Sequence, residues 1–426
     1  MIKFLLKGLL RDRSRSLLPL IVVAIGVMLA VFMRGYINGI MVDMIEQTAR
    51  FNTGHVKVVT KAYAGNMNQA PNDLALIEVS ELKKDLKNEF PDMEWVNRIK
   101  FGGLIDVPDE NGETKSQGPA MGIGLDLLSR DSDEAERLNL GRSLVRGRLP
   151  DSHGEILLSE EFSRKLEVDP GKEVTLIGST MDGGMAIHNF RVTGTVRFGN
   201  TGMDRGTIIA DLYDVQEALN MDDAAGEILG FFASGYYEDE TAAPVIKSFE
   251  DKYSDENDEY APVMLRLRDQ EGLSIYVDMT ESMGAIVTFI FMIAMSLVLW
   301  NAGLLGGLRR YGEIGIRLAI GEEKGHIYRS MIIESVMIGF AGTIIGTAFG
   351  LGLSWLMQTY GLDISEFTKN ATTGIMMPNV VRARITPPDF YIGFIPGLLS
   401  TMAGTMLAGI GIYKRQTARL FKELET

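Results

Sequence analysis

The fold of this chain is set by the run LLPLIVVAIGVMLAVFM at residues 17–33, which contains no charged residue. A helix needs about 20 predominantly apolar residues to cross the roughly 30 Å hydrocarbon core of a bilayer. The run reaches that length if Arg34 extends its guanidinium to the membrane interface. A signal peptide is the alternative, but the run is long for one and no clear cleavage site follows it. We therefore predict a transmembrane helix over residues 17–40.

Three more uncharged apolar runs occur in the last third of the chain, beginning near Ala285, Ser335 and Tyr391. Buried core helices are the alternative, but the length of the runs and their lack of charge favour membrane spans. The predicted fold class is an integral membrane α-helical protein with four transmembrane helices. The three later helices are predicted at residues 281–306, 332–357 and 390–413.

Basic residues cluster in three short segments between or beside these spans, with five, five and four Lys or Arg respectively. Short cytoplasmic segments of membrane proteins carry such an excess of positive charge. The pattern therefore predicts a multi-pass membrane protein whose short basic segments face the cytoplasm. Its predicted cytoplasmic segments are the N-terminus at 1–16, a loop at 307–331 and a tail at 414–426, and residues 358–389 form a short periplasmic loop.

The segment between the first two spans, residues 41–280, is predicted to be a large α+β periplasmic domain with stalk helices at its ends. It carries 24 Lys and Arg against 45 Asp and Glu, a net charge of −21, whereas the rest of the chain carries +7 and the whole −14. This acidity argues against nucleic acid as a partner, because phosphate binding needs a basic surface. The absence of cysteine excludes disulfides, thiolate metal sites and cysteine nucleophiles.

Short alternating segments bounded by turn residues predict the strands of this domain. Strands are predicted at residues 55–60, 155–158, 173–177, 190–196 and 207–210, and helices at 80–89 and 212–219. Apolar residues at helical spacing from Ile37 to Ile45 indicate that the first span continues outward as a stalk.

The sequence predicts neither catalytic residues nor a metal site or cofactor in this chain. His55, His153 and His188 lack paired-ligand spacing and are predicted to be surface residues. The nearest approach to a phosphate-binding loop, Asp169–Glu173 (DPGKE), has the wrong spacing and no hydroxyl after its lysine. ATP hydrolysis is therefore not expected in this chain.

The predicted cytoplasmic loop contains the dense sequence GLRRYGEIGIRLAIGEEKG at residues 307–325. Its mixture of isoleucines with Arg and Glu is typical of helices that lie along a membrane surface. Gly321 ends that pattern, and Glu322–Arg329 is predicted to be a short helix with an acidic first turn. An ordinary interfacial loop is the alternative, but it needs far fewer residues.

The nine residues from Glu313 to Gly321 (EIGIRLAIG), followed by Ile327 and Glu334-Ser335, resemble the signature of FtsX-like or MacB-type (type VII) ABC transporter permeases. The predicted topology is similar as well, and the resemblance implies a location in the cell inner membrane with the large domain in the periplasm. Outside the membrane, Gly141–Arg148, Glu155–Ser159 and Phe190–Gln216 resemble the family's external core, and the last stretch is closest to the lipoprotein-releasing (Lol) permeases.

This resemblance implies a permease subunit driven by a separate ABC ATPase, which holds the ATP and Mg²⁺. The ATPase would dock on the loop, the stalk helices would pass its motion to the periplasmic domain by mechanotransmission, and lipoproteins would leave the inner membrane for a periplasmic carrier. A second permease, identical or related, and membrane lipids are the other implied partners. The coupling residues on this basis are Glu313, Arg317, Gly321, Glu322, Glu323, Lys324 and Ile327.

Two further sets of residues are candidates for function. Gly342, Gly346 and Gly350 recur every four residues and predict a face for close helix packing, within this chain or against a second permease. Flexible thioethers suit contact with acyl chains, although membrane filling is the alternative. The candidate substrate-contact residues are Met33, Met41, Met44, Met283 and Met292.

Two other functions stay open at this point. A MacB-type permease would export peptides or small amphiphiles with an adaptor protein. A non-transporting FtsX-like protein would activate a cell-wall hydrolase, although the external domains of those proteins are generally much smaller than residues 41–280.

Overall fold

The computed structural model describes residues 13–199, 201–255, 257–270, 272–309, 316–364 and 380–414. The described residues form two compact units. The helical unit comprises residues 13–41, 278–309, 316–363 and 380–414, and the α/β unit lies within residues 42–277.

Long helices flank a central stretch of strands and short helices along the described residues. The α-helices are α1 Arg13–Thr48, α2 Lys61–Ala64, α3 Val79–Glu89, α4 Glu134–Arg137, α5 Leu140–Ser143, α6 Glu160–Leu166, α7 Thr201–Asp204, α8 Leu212–Leu219, α9 Asp239–Tyr253, α10 Ser274–Arg309, α11 Lys324–Tyr360, α12 Asp389–Ile392 and α13 Phe394–Lys414. The strands are β1 Val56–Thr60, β2 Leu76–Ile77, β3 Met93–Pro108, β4 Thr114–Leu125, β5 Leu144–Gly147, β6 Glu155–Ser159, β7 Glu173–Ser179, β8 Met185–Val196, β9 Thr207–Asp211, β10 Ala224–Ala225, β11 Glu227–Phe232, β12 Pro262–Arg266, β13 Leu362–Asp363 and β14 Val380–Val381.

Three of the described helical stretches are long and apolar enough to cross a membrane: Leu17–Thr53, Lys324–Tyr360 and Asp389–Leu407. Helix α10 contains a shorter apolar stretch, Ala285–Val298. The protein is thus a membrane protein with a large α/β domain, and the fourth crossing, predicted at 281–306, stays a prediction.

The short helix predicted for Glu322–Arg329 is not a separate element. Helix α11 begins at Lys324 and continues without a break to Tyr360. The sequence between Gly325 and the apolar run contains no residue that stops a helix, so the predicted coupling helix and the predicted span form one rod.

Small residues set the spacing of α1 and α11 in the helical unit. A Cβ atom added to Gly346 would lie 2.5 Å from the carbonyl oxygen of Ala24, and one on Gly350 would lie 2.9 Å from that of Met28. A Cβ on Gly342 would lie 2.8 Å from Cγ1 of Val23. The three glycines therefore lie against α1 of the same chain, where only a residue without a side chain allows this approach.

The α/β unit is built on a ten-stranded sheet in the order β12-β1-β11-β3-β4-β9-β6-β8-β5, with β7 pairing to both β3 and β8. Because β7 joins β3 to β8, the strands β3, β4, β9, β6, β8 and β7 form a closed circuit. The pairs β4–β9 and β6–β8 are parallel, and the other pairs are antiparallel. Strands β12, β1 and β11 extend this circuit as an open sheet.

Strand β3 belongs to both parts of the sheet. Its first residues, Met93 to Arg98, pair with β11, and its later residues, Ile99 to Pro108, pair with β4. Alternate apolar residues of the later part are buried in the main core, as the two-residue period of a strand requires. One continuous strand thus connects the open sheet to the closed circuit.

Several predicted elements of this unit agree with the structure. The strands predicted at residues 55–60, 155–158, 173–177, 190–196 and 207–210 correspond to β1, β6, β7, β8 and β9, and the predicted helices to α3 and α8. Strand β3, the longest of the sheet, and strand β4 have no counterpart among the predicted elements.

The glycine contacts predict a position-specific effect of alanine in α11. Gly346→Ala should destabilise the helical unit by about 1–3 kcal/mol, because its methyl group meets the backbone of α1. Gly352→Ala is the matched control, since a Cβ there has no neighbour within 4 Å. Thermal unfolding of both purified variants in the same detergent measures the difference. Equal melting temperatures for both variants would contradict this packing.

Candidate functional site

The predicted cytoplasmic loop enters α11 through a tight turn. Residues 316–319 are helical, and the N–H of Ile320 donates to the carbonyl oxygen of Ile316 at 3.0 Å. Gly321 has φ +94°, a left-handed conformation that favours glycine. The N–H of Glu322 then donates back to the carbonyl oxygen of Arg317 at 3.0 Å. Gly321 therefore ends the helical stretch, as predicted from the sequence.

Charged side chains fix the shape of this turn. The guanidinium of Arg317 donates to both carboxylate oxygens of Glu322, at 2.6 and 2.7 Å. His326 Nδ1 lies 2.6 Å from Glu322 Oε1. The Arg317 hydrogen bonds, with a further contribution from His326, hold the pKa of Glu322 below its ordinary value. Glu322 thus joins the residues before the turn to the first turn of α11.

The turn presents an exposed surface of mixed character. Glu323 and Lys324 are exposed, and Ile316 and Ile320 have 62% and 79% of their surface exposed. Exposed isoleucines beside charged groups are typical of a surface that a protein or a membrane covers. Ile316 and Ile320 were not among the predicted coupling residues, although they are the large apolar side chains exposed beside the turn.

Two of the predicted coupling residues do not belong to this exposed surface as the structure describes it. Ile327 is buried, with 4% of its surface exposed, so it packs inward and anchors the start of α11. Glu313 lies outside the described residues. The part of the predicted coupling site that lies at the surface of the described residues is therefore the turn from Arg317 to Lys324.

A second polar site lies at one end of the helical unit. Arg34 of α1 forms an ion pair with Asp389, the first residue of α12, and Asp389 is almost completely buried. The other oxygen of Asp389 accepts hydrogen bonds from the N–H and the hydroxyl of Thr386, at 2.6 and 2.8 Å. Arg34 therefore has a buried counterion, and the extension of its guanidinium to the membrane interface stays a prediction. Burying ionisable side chains in a membrane protein costs free energy, so such pairs are usually found where they have a functional or structural role.

The chain before α12 lies directly on the same part of α1. The N–H of Arg384 donates to the carbonyl oxygen of Gly35 at 3.0 Å. A Cβ on Gly39 would meet the backbone at Arg382, so this position also needs glycine. The ion pair and the two glycines together fasten α1 to residues 382–389.

The five candidate substrate-contact methionines are all half-buried. Met33, Met41 and Met44 lie on α1, and Met283 and Met292 lie on α10. Each therefore keeps part of its thioether side chain accessible at the surface of its own unit.

The prediction that His55 is a surface residue is wrong. Only 1% of His55 is exposed, and its Nδ1 accepts a hydrogen bond from the N–H of Phe232 at 2.9 Å. Nε2 therefore carries the proton and donates to Glu46 of α1 at 3.0 Å. No sequence spacing reveals this, because Glu46 and Phe232 are brought to His55 by the fold.

His153 lies on the surface as predicted, but it has carboxylate neighbours. Its Nδ1 is 2.9 Å from Asp214, and ligand atoms of His153, Asp211 and Asp214 lie within 4.8 Å of one another. Backbone N–H groups already bond both aspartates: Gly154 bonds Asp214, and Leu127 and Leu128 bond Asp211. The two aspartates therefore serve as caps for backbone N–H groups, and these hydrogen bonds join β9 and α8 to the preceding loops.

Two protein families match this chain. Residues 16–246 match the MacB-like periplasmic core domain, and residues 285–417 match the FtsX-like permease C-terminal family. The first match covers more than half of the chain.

Individual relatives match with low identity. A macrolide export ATP-binding/permease protein MacB of Wolinella succinogenes is 31% identical over 97 residues, 21% of this chain and 15% of that protein. The lipoprotein-releasing system transmembrane protein LolC of Xylella fastidiosa is 25% identical over 302 residues, 68% of this chain and 65% of that protein. The chain thus matches less than two thirds of the length of either relative. The periplasmic region of MacB from Actinobacillus actinomycetemcomitans is 13% identical, with TM-score 0.36, and the match covers 55% of this chain and 97% of that one.

The Arg34–Asp389 pair predicts non-additive effects of neutral substitutions. Arg34→Met or Asp389→Leu alone should each destabilise the helical unit by about 3–5 kcal/mol, because each leaves a buried charge without its partner. The double variant Arg34→Met/Asp389→Leu should lose less stability than either single variant. A double-mutant cycle on thermal stability in detergent tests this. Losses that simply add would show that the two charges do not depend on each other.

Proposed function

The chain belongs to the ABC transporter permeases with a MacB-like periplasmic core domain and an FtsX-like C-terminal region, and we propose that a separate ATPase drives it to extract lipoproteins from the inner membrane. ATP and Mg²⁺ are bound by that ATPase and not by this chain. The periplasmic α/β unit moves in response and hands the lipoprotein to a periplasmic carrier.

The turn from Arg317 to Lys324 is the proposed docking site of the ATPase. Glu322 contacts both Arg317 and His326 and so fixes the shape of the turn. A turn held in this way can be displaced as a unit by a docked ATPase. Ile316 and Ile320 supply exposed apolar contacts beside it. The turn leads directly into α11, so a displacement of the turn moves the N-terminal end of a 37-residue helix.

Two long helices suit the transmission of this motion. Helix α1 contains both the apolar run at 17–33 and residues 42–48 of the α/β unit, and α10 likewise contains residues from both units. A helix is stiff along its axis because each turn is hydrogen-bonded to the next. Axial movement of α1 or α10 is therefore passed on without a flexible linker.

We propose lipoproteins as the substrate because the similarity to the lipoprotein-releasing protein LolC extends over so much of the chain. It extends over about two thirds of this chain, whereas the match to the Wolinella succinogenes MacB protein covers about a fifth. Lipoprotein acyl chains lie in the membrane, and the half-buried methionines of α1 and α10 offer flexible apolar contacts to them. A second permease, identical or related, completes the proposed inner-membrane complex.

Export of peptides or small amphiphiles through an adaptor protein is the second candidate. It is favoured by the match of residues 16–246 to the MacB-like periplasmic core domain and by the similarity to macrolide export proteins. Activation of a cell-wall hydrolase without transport is the outcome that would contradict both.

Glycine substitutions within the turn and just after it test the docking site. Gly321→Ala should weaken association with the ATPase by about 5- to 10-fold, because alanine is strained at positive φ by about 1 kcal/mol or more. Gly325→Ala is the matched control: a Cβ has no neighbour within 4 Å at either position, but only Gly321 has a positive φ. Co-purification and ATP hydrolysis by the complex are measured. Wild-type association of the Gly321→Ala variant would contradict docking at this turn.

The substrate is tested by purifying the complex from membranes and identifying bound molecules by mass spectrometry. We expect acylated lipoproteins that leave on addition of ATP and a carrier, and no release of a control lipoprotein whose acylated cysteine is replaced by serine. Bound peptides or amphiphiles would support the second candidate instead. A peptidoglycan hydrolase as the sole bound molecule would contradict both forms of transport.

A further inference from the structure

Helix α1 ends inside the α/β unit and runs almost directly into the sheet. Its last turn widens into the π-helix Ala49–Thr53, Gly54 follows with φ +62°, and β1 begins at Val56. The N–H of Gly54 donates to the carbonyl oxygen of Ala49 at 2.8 Å. The carbonyl groups that follow have lost their partners within the helix and need other donors.

Side chains from elsewhere in the sequence supply these donors. Arg98 donates to the carbonyl oxygen of Arg50 at 2.5 Å, and Lys100 donates to that of Asn52 at 3.3 Å and also to the Asn52 side chain. The negative end of a helix dipole favours such cations. Two positive side chains of one strand, β3, therefore cap the end of α1.

Both capping cations are held by carboxylates. Arg98 donates to both oxygens of Glu134, at 2.8 and 3.2 Å, and neither side chain has any exposed surface. Lys100 donates to Glu227 at 3.1 Å. Burial raises the pKa of Glu134, but the charges and hydrogen bonds of Arg98 and Arg137 together outweigh it, and the pKa stays below its ordinary value. Both cations are thus fixed in position by their carboxylate partners.

The two cations lie where β3 changes its neighbour. Arg98 is the last residue of β3 paired with β11, and Ile99 is the first paired with β4. A force on the end of α1 is therefore applied at the junction of the open sheet and the closed circuit. A deeply buried ion pair seldom makes a protein more stable than apolar residues of the same volume would. We therefore attribute the role of these pairs to the fixed positions that they give to the capping side chains.

We propose that Arg98 and Lys100 form a joint that fixes the end of α1 to β3 and passes ATP-driven movement of this helix into the α/β unit. They act as positioning residues, through the helix end and without contact with substrate. This inference rests on the proposed ATPase-driven function, but it is independent of which substrate is released.

The test uses the full-length permease with its ATPase in lipid nanodiscs. Lys100→Met removes one cap and leaves Glu227 paired with Lys57, which bonds it at 3.0 Å. The double variant Arg98→Met/Glu134→Leu removes the other cap without leaving a buried charge from that pair. Lys57→Met is the matched control, because it removes a lysine from the same carboxylate while the cap from Lys100 to Asn52 stays in place.

Amide hydrogen exchange is measured over residues 44–54 and over β3, with and without ATP. We expect exchange at residues 44–54 to be about 10-fold faster in both cap variants, and unchanged in Lys57→Met. ATP should alter the protection of β3 in the wild type and in Lys57→Met but not in the cap variants.

Unchanged exchange at residues 44–54 in the cap variants would overturn the joint, as would an ATP response of β3 that survives their loss or is absent from the wild type. Equal effects of Lys57→Met and Lys100→Met would also overturn it, since the cause would then be the loss of a partner of Glu227. A wild-type complex that shows the ATP response but releases no lipoprotein would contradict the proposed substrate and leave the joint supported.

Discussion

A helix that ends inside folded protein must find donors for its last carbonyl groups, and this requirement organises the α/β unit around β3. The end of α1 is capped by Arg98 and Lys100, which need buried counterions of their own in Glu134 and Glu227. These carboxylates come from α4 and β11, so the caps also fix the positions of two further elements. The strand that carries both cations is the one shared by the open sheet and the closed circuit.

The helical unit meets a different constraint by different means. Inside a membrane the backbone must satisfy its own hydrogen bonds, so helices form, and their association depends on close packing instead of the hydrophobic effect. The glycine face of α11 against α1 supplies that packing. The Arg34–Asp389 ion pair adds one fixed polar contact, so the packing face has a defined position along α1. Each unit thus holds α1 firmly, through small residues in one and through capped carbonyls in the other.

Much of the architecture could be predicted from local pattern. Uncharged runs identified three helices that are long and apolar enough to cross a membrane, two-residue alternation identified five of the strands, and Gly321 was identified as the end of a helical stretch. Strand β3 was missed because Asn97, Arg98 and Lys100 interrupt its apolar pattern at positions that are buried or nearly so. His55 was assigned to the surface because its partners Glu46 and Phe232 are distant or unremarkable in sequence. The candidate coupling turn was found from its motif, but the burial of Ile327 was not.

The sequence by itself determined that this chain is a membrane protein with a large acidic domain inserted after its first apolar helix, because length, charge and apolar runs act locally. It also determined the family, because the motif around Glu313–Gly321 is contiguous. Only the tertiary structure decided which charges are buried and paired. Arg98 and Lys100 resemble any surface cation in the sequence, and Asp389 resembles any residue beside a span. Their roles depend on partners separated from them by tens to hundreds of residues, and a buried charge is stable only where the fold brings such a partner to it.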